Sequence, residues 1–379
     1  MSVAKISKEL SLREVGGNPP PPEPDGAHSV TDLVVGLHSR VDQLDLVTLD
    51  PRVQRPQEFR GDRVRLGVGP YRPRIRAMSK DLFRAERRFI AERLRTWQPE
   101  VVGAHWTYEF ALGSIDSGIP HLITVRDWAP TVLWSMRDAY RTVRLTMQFM
   151  TFSRGKNFAA VSPYMARRVE RLVRRPVAVI PNGIDTKWLA SVHRSTSGLN
   201  ILAANHGFDR RKNVRSLLLD WPEVAANMQG ARLHLVGQGF QVSGPAHYWA
   251  TENGLARHVV FHGPMPRSGL PSLLGEAKLF VHPSLEESFG MVVLEAMASG
   301  LPVIGGAESG AVPWLLSDGA GLLVDVKTRG SLGDGILRIL RDPDYGDSLA
   351  ERGRARAREF SLGRVVEVYR NELLRVAGD

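Results

Sequence analysis

Short apolar runs rich in β-branched residues alternate with longer segments of helical period along most of the chain. The runs that predict strands are residues 44–49, 101–104, 121–125, 157–161, 177–180, 200–204, 232–236, 259–262, 279–281, 302–304 and 321–324. Strands separated by helices are typical of βα units that build a parallel sheet. This number of strands favours an α/β chain with two doubly wound sheets over a chain with one.

Turn-forming residues gather between the two series of strands. The segment PNGID, residues 181–185, is followed by a polar run over residues 191–197. Such a composition is typical of a segment between domains. The chain has 379 residues, which is too long for one ordinary core. We therefore expect a first domain over residues 1–185 and a second that begins at residue 186.

Composition and charge exclude several classes of site. The chain has no cysteine, which rules out disulfides, thiolate zinc sites, iron–sulfur clusters and cysteine nucleophiles. The net charge is +10, and residues 1–190 carry 30 Lys and Arg against 20 Asp and Glu. This excess raises nucleic acid, an anionic membrane surface or a phosphorylated ligand as partners. There is no signal-peptide pattern and no apolar run long enough to span a bilayer, so we expect a cytoplasmic or peripherally attached protein.

Common nucleotide-binding and hydrolase motifs are missing from the sequence. Gly237 and Gly239 follow a predicted strand, but the third glycine of a dinucleotide fingerprint is replaced by Val242. Lys156 follows a glycine but precedes an asparagine, so it is not a Walker lysine. Neither H-E-x-x-H nor G-x-S-x-G occurs.

One segment combines features that suit a nucleotide sugar. Residues 282–304, HPSLEESFGMVVLEAMASGLPVI, predict a loop after a strand, then a helix, then the next strand. Gly290 permits close approach of a ligand, and the helix that follows offers free N–H groups to a diphosphate. Glu287 and Glu295 could accept hydrogen bonds from the hydroxyls of a sugar and a ribose. Taken alone, the E-x(7)-E spacing is weak evidence.

Within its full context the segment resembles the nucleotide-binding domain of retaining glycosyltransferases with the GT-B fold, the glycosyl transferases group 1. Other segments match in the same order from about residue 99 onward: AVIPNGID at 178–185, the strand and basic loop at 200–213, LVGQG at 235–239 and VFHGP at 260–264. The resemblance implies two Rossmann-like domains facing a central cleft. It also implies a donor domain over residues 186–359 and a closing helix over 360–379 that returns to the first domain.

The resemblance assigns roles in donor binding residue by residue. Lys212 matches the phosphate lysine, assisted by Arg210 or Arg211 because His206 stands where an arginine is usual. Glu295 would hold the ribose and Glu287 the transferred sugar. Backbone atoms complete the donor site; those expected to contribute belong to Phe289, Gly290, Met291, Gly263, Pro264 and Met265.

On the acceptor side the sequence departs from the family pattern. Asp127 matches the aspartate of a His-Asp pair, but Arg126 stands where the histidine is expected. Arginine cannot act as a general base at neutral pH, although it can bind a phosphate or a sugar hydroxyl. His105 matches a histidine that is common in the family, with packing beside Trp106 and Tyr108 as the alternative. Gly26 is the one glycine of an irregular first-domain loop, with an ordinary turn as the alternative.

The predicted function is retaining transfer of a sugar from a UDP- or GDP-linked donor to a glycan or lipid-linked acceptor. We expect Glu287, Lys212, Asp127 and His105 to form the catalytic set, with no metal and no cofactor beyond the nucleotide-sugar substrate. One alternative is transfer to a small soluble acceptor, and another is a non-catalytic protein that binds sugar nucleotides or glycans. Nucleic-acid binding rests on charge alone and ranks last. The basic first domain predicts contact with an anionic membrane surface.

Overall fold

The computed structural model describes residue 10, the backbone of residues 13–14, and residues 28–185, 192 and 198–378. The chain folds into two compact units. Unit 1 extends to Gly183 and resumes at Leu362, and unit 2 comprises Ile184–Ser361. Gly26, predicted on the acceptor side, lies outside the described residues.

Unit 1 contains two sheets in the described part of the chain. The first is mixed, with strand order β1-β3-β4-β2, and the second is parallel, with order β5-β6-β7-β8. The strands are β1 (Arg13–Glu14), β2 (Leu44–Asp50), β3 (Gln57–Gly61), β4 (Val64–Pro70), β5 (Val102–His105), β6 (His121–Val125), β7 (Asn157–Ala160) and β8 (Ala178–Val179). The helices are α1 (His28–His38), α2 (Ile75–Lys80), α3 (Arg84–Trp97), α4 (Glu109–Ser117), α5 (Ala129–Met136), α6 (Ala139–Arg154) and α7 (Pro163–Val173).

Unit 2 is built around one parallel sheet of order β11-β10-β9-β12-β13-β14. The strands are β9 (Leu199–Ala204), β10 (Ala231–Val236), β11 (Val259–Gly263), β12 (Ala277–His282), β13 (Val303–Gly306) and β14 (Leu322–Val324). The helices are α8 (Val214–Asn227), α9 (Pro245–Glu252), α10 (Leu270–Glu276), α11 (Met291–Ala298), α12 (Val312–Leu315), α13 (Ser331–Arg341) and α14 (Pro343–Arg358). Strand β12 is almost wholly buried, as expected for a central strand covered on both faces.

The last helix, α15 (Leu362–Gly378), belongs to unit 1. Its buried Val366 and Tyr369 pack in one cluster with Leu33 and Leu37 of α1 and with Leu122 of β6. The helix therefore completes a core whose other members lie in the first half of the chain.

All eleven predicted strands are present, as β2 and β5–β14, but the hairpin β3–β4 was not predicted. Phe59, Val64, Leu66 and Val68 are fully buried there, while arginine and glycine occupy most positions between them. Strand β4 is nevertheless buried on both faces, because Trp97 and Phe89 of α3 lie over its Gly67 and Gly69. Among the described helices, none is long and apolar enough to cross a membrane.

Candidate functional site

Two loops of unit 2 meet where the neighbouring strands β9 and β12 end. The backbone N–H of Leu285 donates to the carbonyl of Arg211 at 2.8 Å. The side-chain amide of Asn213 donates to the carbonyl of Pro283 at 3.1 Å. These bonds join the basic loop after β9 to the loop after β12. The joined loops lie at the carboxyl edge of the sheet, where open α/β sheets bind ligands.

Lys212 and Glu287 form an ion pair at this junction. The Nζ atom of Lys212 lies 2.5 Å from Oε1 of Glu287, and both side chains are largely buried. The carboxylate of Asp209 accepts from the backbone N–H of Lys212 at 3.3 Å and so shapes the turn that carries the lysine. Lys212, predicted to bind the phosphate, and Glu287, predicted to bind the sugar, therefore contact each other directly.

His282 completes this cluster. It ends β12, is 1% exposed, and its Nε2 donates to Oε1 of Glu287 at 3.1 Å. Burial alone would raise the pKa of Glu287, but the Lys212 ammonium and the His282 hydrogen bond hold this pKa well below its usual range. Glu287 is therefore ionised at neutral pH.

Helix α11 begins shortly after Glu287 in the chain. Gly290 has φ of 103°, a left-handed conformation that favours glycine, and it turns the chain from the loop into the helix. Phe289 is buried, and its ring packs against Trp314 and Phe360. The side chain of Phe289 thus anchors the loop in the core. The first N–H groups of the helix, including that of Met291, have no intrahelical acceptor and can face an anion.

Glu295 lies in a different ion pair from Glu287. It is 6% exposed on α11, and its carboxylate lies 3.6 Å from the guanidinium of Arg267. The segment before Arg267 contains the residues predicted to contact the base. The N–H of Gly263 donates to the carbonyl of Phe240 at 2.9 Å, and Pro264 has no N–H. The remaining backbone donor of that predicted set is therefore Met265.

The other predicted donor-site cations differ in exposure. Arg210 and His206 are exposed, whereas Arg211 is partly buried and its Nη1 donates to the carbonyl of Glu286 at 3.4 Å. Arg211 therefore lies in the same loop junction as Lys212. In the described part of the chain, no three His, Cys, Asp or Glu side chains gather in a way that could hold a metal ion.

In unit 1 the predicted acceptor-side residues lie at the carboxyl ends of β5 and β6. Nε of Arg126 donates to Nδ1 of His105 at 3.2 Å. The hydroxyl of Tyr108 donates to Oδ2 of Asp127 at 2.8 Å. The ring of His105 stacks on that of Tyr369 of α15, with ring centroids 5.6 Å apart. The structure therefore brings Arg126 and His105 together and engages Asp127 with a tyrosine.

A cavity of about 290 Å³ opens beside Asp127 within unit 1. Its lining includes Trp106, Tyr108, Tyr140 and Arg144. Trp106 has φ of 62°, an unusual conformation for a bulky residue, and strain of this kind is often found at ligand sites. Aromatic faces beside polar groups suit a sugar ring, which has both apolar and hydroxyl surfaces.

Several members of these clusters were missed in the sequence. His282 and Arg267 contact Glu287 and Glu295, and Asn182 accepts from Arg126 at 2.5 Å. The position of His282 at the end of a predicted strand, beside the acidic motif, was a signal that could have identified it. Arg267 carries no such signal, because its contact with Glu295 depends on how α11 packs.

The comparisons with known proteins agree with this architecture. The family model for glycosyl transferases group 1 matches residues 190–356, and that for glycosyltransferase family 4 matches residues 26–188. The O-antigen chain mannosyltransferase B of Escherichia coli is 31% identical over 156 residues, which are 40% of this chain and 39% of that protein. A lipopolysaccharide core biosynthesis glycosyltransferase of Rhizobium meliloti is 28% identical over 255 residues, 64% of this chain and 73% of the relative.

Among solved structures, a sucrose-phosphate synthase from Thermosynechococcus elongatus superposes with a TM-score of 0.73 at 21% identity, covering 92% of this chain and 94% of that one. This likeness confirms the predicted fold class, two Rossmann-like units of the GT-B fold. The match to the O-antigen mannosyltransferase spans less than half of that relative's length. Taken together, the two family models and the fold show that the chain belongs to the glycosyl transferases of group 1 and family 4, with the GT-B fold.

Proposed function

We propose that this protein transfers a sugar, with retention of configuration, from a UDP- or GDP-sugar to a glycan or lipid-linked acceptor. The observation that carries the proposal is the cluster of Lys212, Glu287 and His282 beside the start of α11. It combines a buried cation, an ionised carboxylate and free helix N–H groups. A nucleotide sugar presents a diphosphate to the cation and the helix N–H groups, and it presents sugar hydroxyls to the carboxylate.

The chemistry follows from where charge develops. As the bond between the sugar and the diphosphate breaks, negative charge accumulates on the leaving phosphate. Lys212, Arg211 and the helix N–H groups stabilise that charge. Glu287 accepts hydrogen bonds from the transferred sugar, and Glu295, oriented by Arg267, accepts them from the ribose. Met265 contacts the base. The leaving diphosphate can accept the acceptor proton, so no protein base is required.

Asp127 and His105 carry the acceptor side of the proposal. Asp127 hydrogen-bonds an acceptor hydroxyl, and the hydroxyl of Tyr108 holds its carboxylate in place. Burial is the main cause that holds the pKa of His105 well below its usual range, and the positive charge of Arg126 adds to it. This ring is therefore neutral at pH 7 and acts as a hydrogen-bond donor. The cavity beside Trp106 receives the acceptor sugar.

Nucleotide binding provides the first test. We expect UDP or GDP to raise the melting temperature of the full chain, and the better of the two identifies the base. Lys212→Met should weaken that nucleotide by about ten- to a hundred-fold, the usual contribution of a charge-assisted hydrogen bond. Lys327→Met, which removes an exposed lysine of unit 2, is the matched control. Unchanged affinity in the Lys212 variant would refute the donor site.

Turnover separates an enzyme from a binding protein. We expect release of nucleoside diphosphate from a panel of nucleotide sugars when membrane extract is added, with the glycosylated product identified by mass spectrometry. Asp127→Asn should lower kcat by about ten-fold or more while nucleotide affinity is retained, because the neutral amide is a weaker acceptor for the acceptor hydroxyl. Nucleotide binding without product from any donor and extract supports the alternative, a non-catalytic sugar-nucleotide or glycan-binding protein.

We also propose that a basic surface on unit 1 binds the protein to the cytoplasmic membrane. Arg167, Arg171 and Arg174 lie at i, i+4 and i+7 along α7 and its C-cap, and they are exposed on one face. Leu172 beside them is also exposed. In the described residues no carboxylate pairs with these three arginines. Each arginine near an anionic surface contributes about 1 kcal/mol to binding.

Co-sedimentation with vesicles tests this surface. We expect the protein to bind vesicles containing phosphatidylglycerol, to ignore vesicles of phosphatidylcholine alone, and to dissociate at high salt. Replacing the three α7 arginines by glutamine should abolish binding, whereas a triple replacement of exposed arginines elsewhere, R60Q/R88Q/R329Q, should retain it. Equal binding to both kinds of vesicle would refute the membrane contact.

A further inference from the structure

Arg126 is held in one orientation by three separate segments of unit 1. Its Nε donates to His105 at the end of β5 at 3.2 Å. Its Nη1 donates to Oδ1 of Asn182 at 2.5 Å and to Oγ of Ser29, in the first turn of α1, at 3.3 Å. The ring of Trp106 lies 5.8 Å from the guanidinium carbon. A guanidinium held in this way is pre-organised for a ligand, because little side-chain freedom remains to be lost on binding.

The charge of Arg126 has no counter-ion among the described residues, since each of its acceptors there is neutral. Other enclosed arginines of unit 1 differ in this respect: Arg87 pairs with Asp116, and Arg144 pairs with Glu109. Burial lowers the pKa of Arg126 to about 10, so the group is still charged at pH 7. An enclosed cation without a counter-ion is unfavourable, and an anion beside it offsets that penalty.

The neighbouring groups orient this cation and add to its positive field. Nδ1 of His105 accepts from Arg126, and the ring is neutral, so its proton resides on Nε2, which is then a donor. The helix α1 begins at His28, so its positive dipole end lies at Ser29. The Nε2–H of this imidazole points away from the ring nitrogen that accepts from Arg126. At the guanidinium itself the cation is therefore joined by the helix N-terminus, and no carboxylate of the described residues pairs with it.

We propose that Arg126, oriented by His105 and lying beside the start of α1, binds an anionic group of the acceptor, a phosphate or a carboxylate. This inference rests on the proposed function and specifies its acceptor class. The histidine that the family usually has before Asp127 would leave the position without a permanent charge. Arg126 supplies a permanent positive charge, and its Nη2, which donates to no described residue, is the nitrogen left to hydrogen-bond a phosphate or carboxylate. Unit 2 has its own cations for the donor diphosphate, Lys212 and Arg211.

Calorimetric titration of the full chain tests anion binding directly. The probes are inorganic phosphate, acetate, glucose 6-phosphate, glucuronate and glucose, each with the preferred nucleoside diphosphate present so that the donor site is filled. We expect the charged probes to bind, and the charged sugars to bind about ten- to a hundred-fold tighter than glucose, with an advantage that declines in salt. Arg126→Gln should remove this advantage, and Arg126→Lys should keep part of it. Arg88→Gln, an exposed change of the same charge, should keep all of it.

A second titration omits the nucleotide. Four results would overturn the proposal: equal binding of charged and neutral probes by the wild type, full anion binding in the Arg126→Gln protein, an equal loss in Arg88→Gln, or anion binding that is seen only when the nucleotide is omitted. The last result would assign the cation to the donor diphosphate. If Arg126→Gln does not fold, as judged by its melting curve, the Lys variant and the wild-type comparison decide the question.

Kinetics add a second readout. With an acceptor extract, Arg126→Gln should raise the acceptor KM by ten-fold or more and leave the KM for the nucleotide sugar within about two-fold. An increase in the donor KM instead would contradict an acceptor role. If anion binding fails while nucleotide binding still depends on Lys212, only the anionic acceptor is refuted. If the wild type binds no nucleotide, the proposed function itself fails.

Discussion

Replacing Glu287 by glutamine should strengthen the binding of the nucleoside diphosphate and weaken sugar transfer. The carboxylate of Glu287 lies 2.5 Å from Nζ of Lys212. In the proposed donor site it would therefore compete with the diphosphate for this cation and repel the diphosphate as a like charge. Glutamine has nearly the same shape and can still accept from Lys212 and His282. Its amide lacks the charge that makes Glu287 a strong acceptor for the sugar hydroxyls, so we expect opposite effects on the two measurements.

The size of the gain can be worked from the charges. Two unit charges about 8 Å apart repel by about 2 kcal/mol at an effective dielectric constant of ~20. Salt screening, and the loss of the carboxylate's hold on Lys212, should leave about 1 kcal/mol, or roughly five-fold in Kd. The backbone of the Lys212 loop should not move, because hydrogen bonds to Asp209 and from Leu285 fix it independently. For transfer, loss of the ionised acceptor should lower kcat by about ten-fold or more.

The assay is calorimetric titration with UDP and GDP, followed by turnover with the matching nucleotide sugar. Glu308→Gln removes an exposed carboxylate of the same unit and should leave both quantities within about two-fold. Weaker nucleotide binding in the Glu287 variant, as in Lys212→Met, would show that the carboxylate positions the lysine more than it competes with the ligand. That result would refute the reasoning.

Three further predictions concern unit 2. Burial lowers the pKa values of His234 and His262 below the unfolded value near 6.5. The free energy of unfolding should therefore fall as the pH drops below about 6.5, by at most about 1.4 kcal/mol per pH unit for each ring. Urea unfolding at several pH values should show this slope, and replacing both histidines by glutamine should flatten it. Gly237→Ala should lower the free energy of unfolding by at least about 2 kcal/mol more than Gly330→Ala. Both positions have positive φ, but only at Gly237 would the new Cβ lie 1.8 Å from a carbonyl oxygen, that of Asn205. Equal losses would contradict the steric argument. Glu295→Gln should abolish a preference of about ten-fold for the ribonucleotide over its 2′-deoxy analogue in a binding assay, and a preference that persists would place the ribose elsewhere.

The strands of this fold were predictable because most are buried on both faces or follow a helix at regular spacing. Strand β12 is buried at every position except Lys278, and its Leu279, Phe280 and Val281 form an apolar run that predicts a strand. The hairpin β3–β4 was missed for the opposite reason. Arg65 on β4 carries a charge that its ion pair with Asp45 of β2 compensates, and a pairing between distant residues is invisible in one sequence.

The members of the candidate site were easier to predict than their contacts. The acidic motif identifies Glu287 and Glu295 but does not reveal that the first pairs with Lys212 and the second with Arg267. Those pairings depend on how loops from different strands meet at the sheet edge. The departure at Arg126 was visible in the sequence, whereas its lack of a described counter-ion could be seen only once the surrounding segments were folded.

The packing of α15 has a consequence for how the protein is made. The core of unit 1 needs Val366 and Tyr369, but the ribosome synthesises the 178 residues of Ile184–Ser361 before it reaches them. At ~5–20 residues per second, this interval lasts roughly 10–35 s. Unit 1 must therefore wait with an apolar groove uncovered while unit 2 emerges and folds. A nascent chain that stalls before Leu362 would carry a folded unit 2 and an incomplete unit 1, which would be exposed to chaperones and proteases.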